Sequence, residues 1–273
     1  MFECGDEVEK GHYPLGVAVH RTAIVSRGAE LGQGVIIGPF ALVGPKVVIK
    51  DGARIGSHVV LEGRTTIGAR TEVHSFASLG TAPQDLKYKG QDTELIVGDD
   101  NKIREYVNIS IGTDTGGGRT TLGNDNLIMA YTHIAHDSIV GNECIFANGV
   151  QLAGHVHVAD RVVFGGMSGG HQFSSFGEYA MVGAGAIVVQ DVPPYCMVQG
   201  DRASISGLNV VGLRRAAIKD ERLDAIKNMF RLVFKSNLTL DDAIQAIERE
   251  VPPLKERDTF VGFLKVSRRG ICR

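Results

Sequence analysis

Histidine is concentrated in one part of the sequence, where its spacing could support proton transfer. Five of the nine histidines fall between residues 133 and 171, and one of them, His136, is followed directly by Asp137. A neutral imidazole can accept a proton near pH 7, and an adjacent carboxylate fixes its tautomer and stabilises the imidazolium. Gly154 could bring a backbone N–H to a developing oxyanion. These residues indicate general-base catalysis with direct attack by a substrate hydroxyl.

The same histidines could instead bind a metal ion. His133 and His136 have the spacing His-x-x-His, and together with His155 they could present three imidazoles to zinc. A zinc-dependent hydratase is therefore an alternative interpretation of this region.

An aliphatic or aromatic residue at nearly every sixth position predicts the fold that carries these histidines. The repeat matches neither the 3.6-residue period of a helix nor the two-residue period of a strand. It fits a coil in which three short parallel strands make one turn of 18 residues and each hexad residue points inward. The glycines that often follow a hexad residue are expected at corners with positive φ. The hexad residues between 19 and 188 include Val19, Val43, Leu61, Leu79, Ile109, Ile134, Leu152, Phe164, Phe176 and Val188.

The 18-residue turn predicts which residues stack in neighbouring coils. His136 should lie beneath Gly154 and Asp137 beneath His155, while Gln172 should lie above Gly154 with His171 beside it. A second column, also spaced by 18 residues, is made of small or short residues. It would leave a groove for an extended chain, or it would allow coils to pack closely in an oligomer. The residues of this column are Ala130, Asn148, Gly166 and Ala184.

Two interruptions of the hexad repeat predict loops. Hexad positions 85 and 91 hold Asp85 and Gln91, so residues 81–93 should leave the coil. One extra residue between Ile109 and Leu122 predicts a glycine-rich loop over 113–119. Loops on a regular scaffold often carry function.

The repeat ends after Pro193-Pro194, and apolar residues at i, i+3 and i+4 then predict helices over 220–235, 239–251 and 253–266. The predicted organisation is an N-terminal extension over 1–16, a coil over 17–195 and a helical domain over 196–273. Thr239 is expected to cap the second of these helices.

Composition limits the function classes. The net charge of −2 argues against a nucleic-acid partner. The four cysteines are scattered, and neither a signal peptide nor a long apolar run is visible, so a cytoplasmic protein without an integral membrane segment is expected. Residues 202–273 hold 15 basic and 9 acidic residues. The net positive charge of this segment could bind an acidic partner. The basic residues considered for this contact are Arg214, Arg215, Lys219 and Arg222.

Several motifs resemble the UDP-N-acetylglucosamine O-acyltransferase family of lipid A biosynthesis. The similarity extends over about residues 17–273, and a generic hexapeptide protein would lack most of these motifs. They are His133-Ile-Ala-His-Asp137, Leu152-Ala-Gly-His-Val156, His171-Gln-Phe173, Gln190-Asp-Val-Pro-Pro-Tyr195, Gln84-Asp-Leu-Lys-Tyr88 and Gly212-Leu-Arg-Arg215.

The resemblance implies a left-handed parallel β-helix, a homotrimer with active sites between subunits, and no metal or other cofactor. It implies transfer of a 3-hydroxyacyl group from acyl carrier protein to the 3-hydroxyl of UDP-N-acetylglucosamine. His136 would be the general base, Asp137 its orienting partner and Gly154 the oxyanion donor. Ala184 would set the acyl-chain length. The implied substrate-binding residues are Asp85, Lys87, His133, His155, His171, Gln172, Asn209 and Arg215.

Two residues depart from the family pattern. Ser110 replaces a frequent histidine, and Val211 replaces an acidic residue found in many members. An N-acyltransferase of the same fold, acting on a 3-amino sugar nucleotide, is therefore an alternative.

Overall fold

The computed structural model describes residues 14–273, and within this range the chain forms three β-sheets followed by a helical segment. Sheet A consists of Ala18–Val19, Ile36–Ile37, Arg54–Ile55, Glu72–Val73, Lys102–Ile103, Leu127–Ile128, Ile145–Phe146, Val163–Phe164, Met181–Val182, Cys196–Gln199 and Ser204–Leu208. Sheet B consists of Ile24–Val25, Leu42–Val43, Val60–Leu61, Ser78–Thr81, Asn108–Ser110, His133–Ile134, Gln151–Leu152, Gly169–Gly170 and Ile187–Val188. Sheet C consists of Glu30–Leu31, Val47–Ile49, Arg64–Ile67, Glu94–Val97, Arg119–Leu122, Ile139–Val140, His157–Val158 and Ser175–Phe176.

The three sheets are the faces of a left-handed parallel β-helix, an all-β solenoid. Ile134 pairs with Leu152, and Leu152 pairs with Gly170, so residues eighteen apart stack as predicted. Among the strands of residues 14–273, only the final pair, in sheet A, is antiparallel. The hexad residues form a continuous core inside the coil, where Leu61 and Phe164 are fully buried.

Glycine serves two purposes in the coil. The hexad repeat skips Gly170, and the space is filled by Phe176, because a Cβ on Gly170 would lie 3.1 Å from the Phe176 ring. The expectation that glycines following a hexad residue have positive φ is wrong for all of them except Gly80. They are small because the next coil turn passes close by: a Cβ on Gly56 would lie 2.9 Å from the Val73 carbonyl oxygen.

The turns between sheets form three edges that run along the coil. The A–B edge lies between sheets A and B, and the B–C and C–A edges are defined in the same way. Residues at all three edges adopt φ near +60°, as Tyr106, Asp137 and Arg161 illustrate. Both predicted loops leave the coil at the B–C edge, since each joins a strand of sheet B to one of sheet C.

The C-terminal segment contains helices α1 (Val210–Arg215), α2 (Asp220–Phe234), α3 (Leu240–Glu250) and α4 (Lys255–Val266). The last three match the predicted helices, and Thr239 caps α3 by accepting from the Asp242 N–H. Helix α1 was not predicted. The helices share a second core with Tyr195 of the coil.

The predicted domain division stays a prediction. Residues 196–273 contain two strands of sheet A before the helices begin. Residues 1–13 of the predicted N-terminal extension lie outside the described residues.

Candidate active site

The B–C edge brings together most of the predicted site residues. His136, Gly154 and Gln172 occupy the same position in successive turns, and the His155 N–H donates to the His136 carbonyl at 3.0 Å. The residues gathered along this edge are His136, Asp137, Gly154, His155, His171, Gln172, Asp85 and Lys87.

His136 and Asp137 form a hydrogen-bonded pair. The His136 Nδ1 lies 2.8 Å from the Asp137 Oδ2. The Asp137 side chain is fully buried, whereas 14% of the His136 side chain is exposed. Because an ionised carboxylate only accepts hydrogen bonds, the His136 Nδ1 carries the proton in this pair. The Nε2 atom is then the position that can accept a proton.

Two threonines hold Asp137, and sequence reasoning missed both. Thr113 donates to the carboxylate through its N–H, 2.8 Å from Oδ1, and through its hydroxyl, 2.6 Å from Oδ2. The Asp137 N–H donates to the Thr120 hydroxyl at 2.8 Å. Thr113 is the first residue of the predicted 113–119 loop, which had no assigned role. The position of that loop directly below the site was the available signal.

Gly154 lies against the imidazole of His136. A Cβ on Gly154 would lie 2.7 Å from Cε1 and 2.9 Å from Nε2 of that ring, so only glycine leaves the imidazole in place. Within the described chain the Gly154 N–H donates to no protein acceptor. An N–H beside the proton-accepting nitrogen could stabilise an oxyanion formed there.

His155 completes this cluster. Its Nε2 lies 3.9 Å from the Asp137 Oδ2, and its ring stacks on Phe173 at a centroid distance of 4.5 Å. Burial lowers the pKa of His155, and the charges of Asp137 and Asp85 partly oppose that shift. Its imidazole is therefore favoured as the neutral form at pH 7.

His133 is held beside the cluster on sheet B. Its Nδ1 lies 2.7 Å from the Asn108 Oδ1, and burial lowers its pKa. Asn108 in turn donates to the Ser78 carbonyl at 3.3 Å, so the orientation of His133 is fixed by the coil.

The predicted binding residues at the outer part of this edge are more accessible. His171, Gln172 and Lys87 are exposed. Asp85 is half-buried and accepts from the Lys87 N–H at 2.9 Å, which shapes the loop that carries both residues.

Three predicted site residues lie elsewhere on the protomer. Ala184 belongs to the A–B edge. Asn209 caps α1 next to the C–A edge, where its side chain accepts from the Gly212 N–H and donates to the Tyr179 carbonyl. Asn209 is almost completely buried and has little accessible surface for a ligand. Its contact with a nucleotide stays a prediction. Arg215 is exposed at the end of α1.

Comparisons with known proteins agree with this site. The family model described as Udp N-acetylglucosamine O-acyltransferase, Domain 2 matches residues 191–272, and the bacterial transferase hexapeptide model matches residues 28–63 and 119–154. The chain is 48% identical over 257 residues to the acyl-[acyl-carrier-protein]–UDP-N-acetylglucosamine O-acyltransferase of Anaeromyxobacter dehalogenans (strain 2CP-1), covering 94% of this chain and 100% of that one. The chain belongs to this O-acyltransferase family.

Further relatives give the same result. The enzyme of the same name from Aliarcobacter butzleri is 51% identical over 229 residues, covering 84% of this chain and 88% of that one. The structure of LpxA from Acinetobacter baumannii superposes with a TM-score of 0.91 at 42% identity, covering 93% of this chain and 99% of that one.

The candidate metal ligands in this O-acyltransferase differ from the three imidazoles considered above. Among residues 14–273, the group whose ligand atoms lie within 4.8 Å of one another is His136, Asp137 and His155. His133 is not part of it, and its Nδ1 faces Asn108. Two of these three groups are already hydrogen-bonded to each other.

A groove extends from the B–C edge of this O-acyltransferase across sheet C to α4. Its volume is about 840 Å³, and it is lined mainly by aromatic and apolar side chains together with His155, His157 and Arg268.

None of the helices in the described range has the length and apolar character that a membrane crossing requires.

The two departures from the family pattern lie in different environments. Ser110 is 1% exposed in sheet B. Val211 is 63% exposed on α1, next to Asn209 in the chain.

Proposed function

We propose that this chain transfers a 3-hydroxyacyl group from acyl carrier protein to the 3-hydroxyl of UDP-N-acetylglucosamine, the first step of lipid A biosynthesis, in the cytoplasm. The observation that carries the proposal is the His136–Asp137 pair, whose free Nε2 lies beside Gly154. Family membership supports the overall reaction. The geometry of the B–C edge supports the assignment of the individual steps.

His136 acts as the general base in this proposal. Its Nε2 removes the proton from the sugar 3-hydroxyl as the oxygen attacks the thioester carbon. The new O–C bond forms, and the C–S bond then breaks. The imidazolium returns its proton to the departing thiolate, so no proton is lost. Asp137 stabilises the imidazolium between these steps.

Gly154 stabilises the charge that develops during attack. The thioester oxygen becomes an oxyanion, and the Gly154 N–H is the donor we assign to it. Asp85, Lys87, His133, His155, His171 and Gln172 bind the substrates around this centre. Neutral His133 and His155 suit this task, because each can both donate and accept a hydrogen bond.

We assign a homotrimer to the active enzyme. Ala184, Asn209 and Arg215 lie at the A–B edge or next to the C–A edge, away from His136 on the same protomer. In the trimer we propose, the A–B or C–A edge of one subunit lies against the B–C edge of its neighbour. This arrangement would bring Asn209, Arg215 and Ala184 to the reaction centre of the neighbouring subunit.

The basic C-terminal segment is the surface we assign to acyl carrier protein, which is acidic. Arg214, Arg215 and Lys219 are exposed and available for this contact. Arg222 is not equally available, because its Nε donates to the buried Glu256 at 2.8 Å.

The variant His136→Ala tests the proposed base. We expect kcat to fall by about 10²–10⁴-fold, the usual contribution of a general base. His20→Ala is the matched control, since His20 is exposed near the N-terminal end of the coil. Near-normal kcat for His136→Ala, measured with a 3-hydroxyacyl carrier protein, would contradict the assignment.

The same assay can test the acceptor. When the sugar nucleotide and its 3-amino analogue are offered together, mass spectrometry should detect the ester as the main product. A predominant amide would instead favour the N-acyltransferase.

A further inference from the structure

We propose that Thr113 is a positioning residue for the reaction, and that residues 113–118 leave the coil in order to hold the Asp137 carboxylate against His136. This inference rests on the proposed function, since it assumes that His136 is the general base. It gives a catalytic purpose to a loop that the hexad pattern identifies only as an interruption.

Thr113 binds both oxygens of the carboxylate. Its N–H donates to Oδ1 at 2.8 Å and its hydroxyl to Oδ2 at 2.6 Å, while Oδ2 also faces His136 Nδ1. Thr113 is 2% exposed and the Asp137 side chain is fully buried, so water cannot readily replace these donors. The two contacts fix the rotation of the carboxylate about its Cβ–Cγ bond.

The direction of the Thr113 hydroxyl is also fixed. The Gly116 N–H donates to the Thr113 Oγ1 at 3.2 Å, where Thr113 caps the short 3-10 helix Asp114–Gly116. The Gly118 N–H donates to the Thr113 carbonyl at 2.7 Å. The hydroxyl oxygen accepts from Gly116 and lies 3.3 Å from the Thr115 Oγ1. Its own proton points at the nearer Asp137 Oδ2, because a carboxylate oxygen only accepts.

Gly116 allows the loop to lie directly on the carboxylate. A Cβ at this position would overlap the Asp137 carboxyl group. Gly116 does not need glycine for its φ angle, since its φ is not in the left-handed region. Its lack of a side chain is therefore explained by the approach to Asp137.

This arrangement selects the tautomer of His136. A carboxylate held with Oδ2 toward Nδ1 favours the proton on Nδ1 and leaves Nε2 as the base. If the Asp137 carboxylate could rotate, the His136 proton would no longer be favoured on Nδ1. The imidazolium would also lose the carboxylate that stabilises it. Thr113 would then affect the chemical step without touching either substrate.

The variant Thr113→Val removes the hydroxyl and keeps the shape of the side chain. We expect kcat to fall by roughly 10- to 100-fold, the usual range for a lost hydrogen bond to a buried charge. The KM for UDP-N-acetylglucosamine should stay within about twofold of the wild type, because no substrate contact changes. The acidic limb of the pH profile of kcat/KM should move to lower pH, since the imidazolium loses a fixed partner.

Three further variants separate this role from folding. Thr113→Ser keeps the hydroxyl and should recover most of the activity. Gly116→Ala should lower kcat by displacing Asp137 even though Thr113 is intact. Thr66→Val makes the same chemical change at a half-buried side chain of the strand Arg64–Ile67, outside the loop, and should leave kcat and the pH profile unchanged.

The outcomes distinguish this inference from the proposed function. If His136→Ala is inactive while Thr113→Val keeps wild-type kcat and pH profile, the positioning role is wrong and the general base stands. If His136→Ala is active, the proposed function fails first. If Thr113→Val and Thr113→Ser both lose thermal stability and show the wild-type pH profile, Thr113 has a structural role only.

Discussion

The B–C and A–B edges of the coil share one backbone conformation and differ in the side chains they carry. Asp137 and His155 on the B–C edge have φ of 59° and 60°, and Tyr106 and Tyr131 on the A–B edge have φ of 59° and 63°. The φ angle therefore does not distinguish the two edges. What each edge can do depends on the residues placed there and on the contacts that hold them.

The A–B edge carries a ladder of aromatic rings. Neighbouring rings lie 4.9–5.1 Å apart and are partly exposed. The residues of this aromatic ladder are Phe40, His58, Phe76, Tyr106 and Tyr131. Each ring is stabilised by contact with the rings next to it, so stacking and the burial of ring surface hold the ladder together.

The B–C edge depends on hydrogen bonds with defined directions. Asp137 is held by Thr113, Thr120 and His136. Thr113 comes from a loop outside the regular coil, whereas Thr120 belongs to the strand Arg119–Leu122. A stacked ring tolerates small displacements, whereas a proton acceptor must be in the correct place and tautomer. The comparison predicts that small changes at the B–C edge affect chemistry and that larger changes at the A–B edge affect stability.

Gly154→Ala should have the largest effect among the changes that test this comparison. The added methyl group would lie 2.7–3.1 Å from the His136 ring and displace the base, besides crowding the proposed oxyanion donor. We expect kcat to fall by about 10²–10³-fold with little change in thermal stability. Gly262→Ala is the control, because a methyl group there meets open space. A variant with normal kcat would mean that the imidazole can shift without consequence.

Tyr106→Ala should have an intermediate effect, and on stability. Tyr106 stacks on both Phe76 and Tyr131, and its loss should cost about 1–3 kcal/mol for two aromatic contacts. We expect the midpoint of thermal unfolding to fall and the kcat of the folded enzyme to stay within about twofold. Tyr106→Phe retains the ring and should be close to wild type. A large loss of kcat at unchanged stability would remove the distinction between the two edges.

The hexad repeat was sufficient to predict the coil and the relative positions of His136, Gly154 and His155, because a parallel helix with an 18-residue turn stacks residues by simple counting. It could not predict the support of Asp137. Thr113 and Asp137 are 24 residues apart, and the extra residues in the loop between them break that count. Their contact depends on a short 3-10 turn that has no period.

Local capping explains the difficulty with Asn209. The residue was assigned a nucleotide contact by resemblance, yet both ends of its amide group are used to begin α1 and to join it to the coil. Asparagine is a common cap for the same reason that it is a common ligand: one side chain contains a donor and an acceptor. Sequence alone does not distinguish these uses.

The C–A edge should show the smallest effect. Here Arg161 forms two hydrogen bonds with Glu143, and this contact lowers the pKa of Glu143. A carboxyl group whose pKa is lowered by folding contributes stability above its unfolded pKa and loses it as the pH falls through the folded value.

We expect Glu143→Gln to cost less than about 1 kcal/mol at pH 7, because both side chains are largely exposed. The difference in unfolding midpoint from the wild type should disappear in acid, as the pH falls through the lowered pKa of Glu143 and its carboxyl group becomes protonated. High salt should reduce the difference at pH 7. A difference that persists in acid would mean that Glu143 contributes through packing rather than charge.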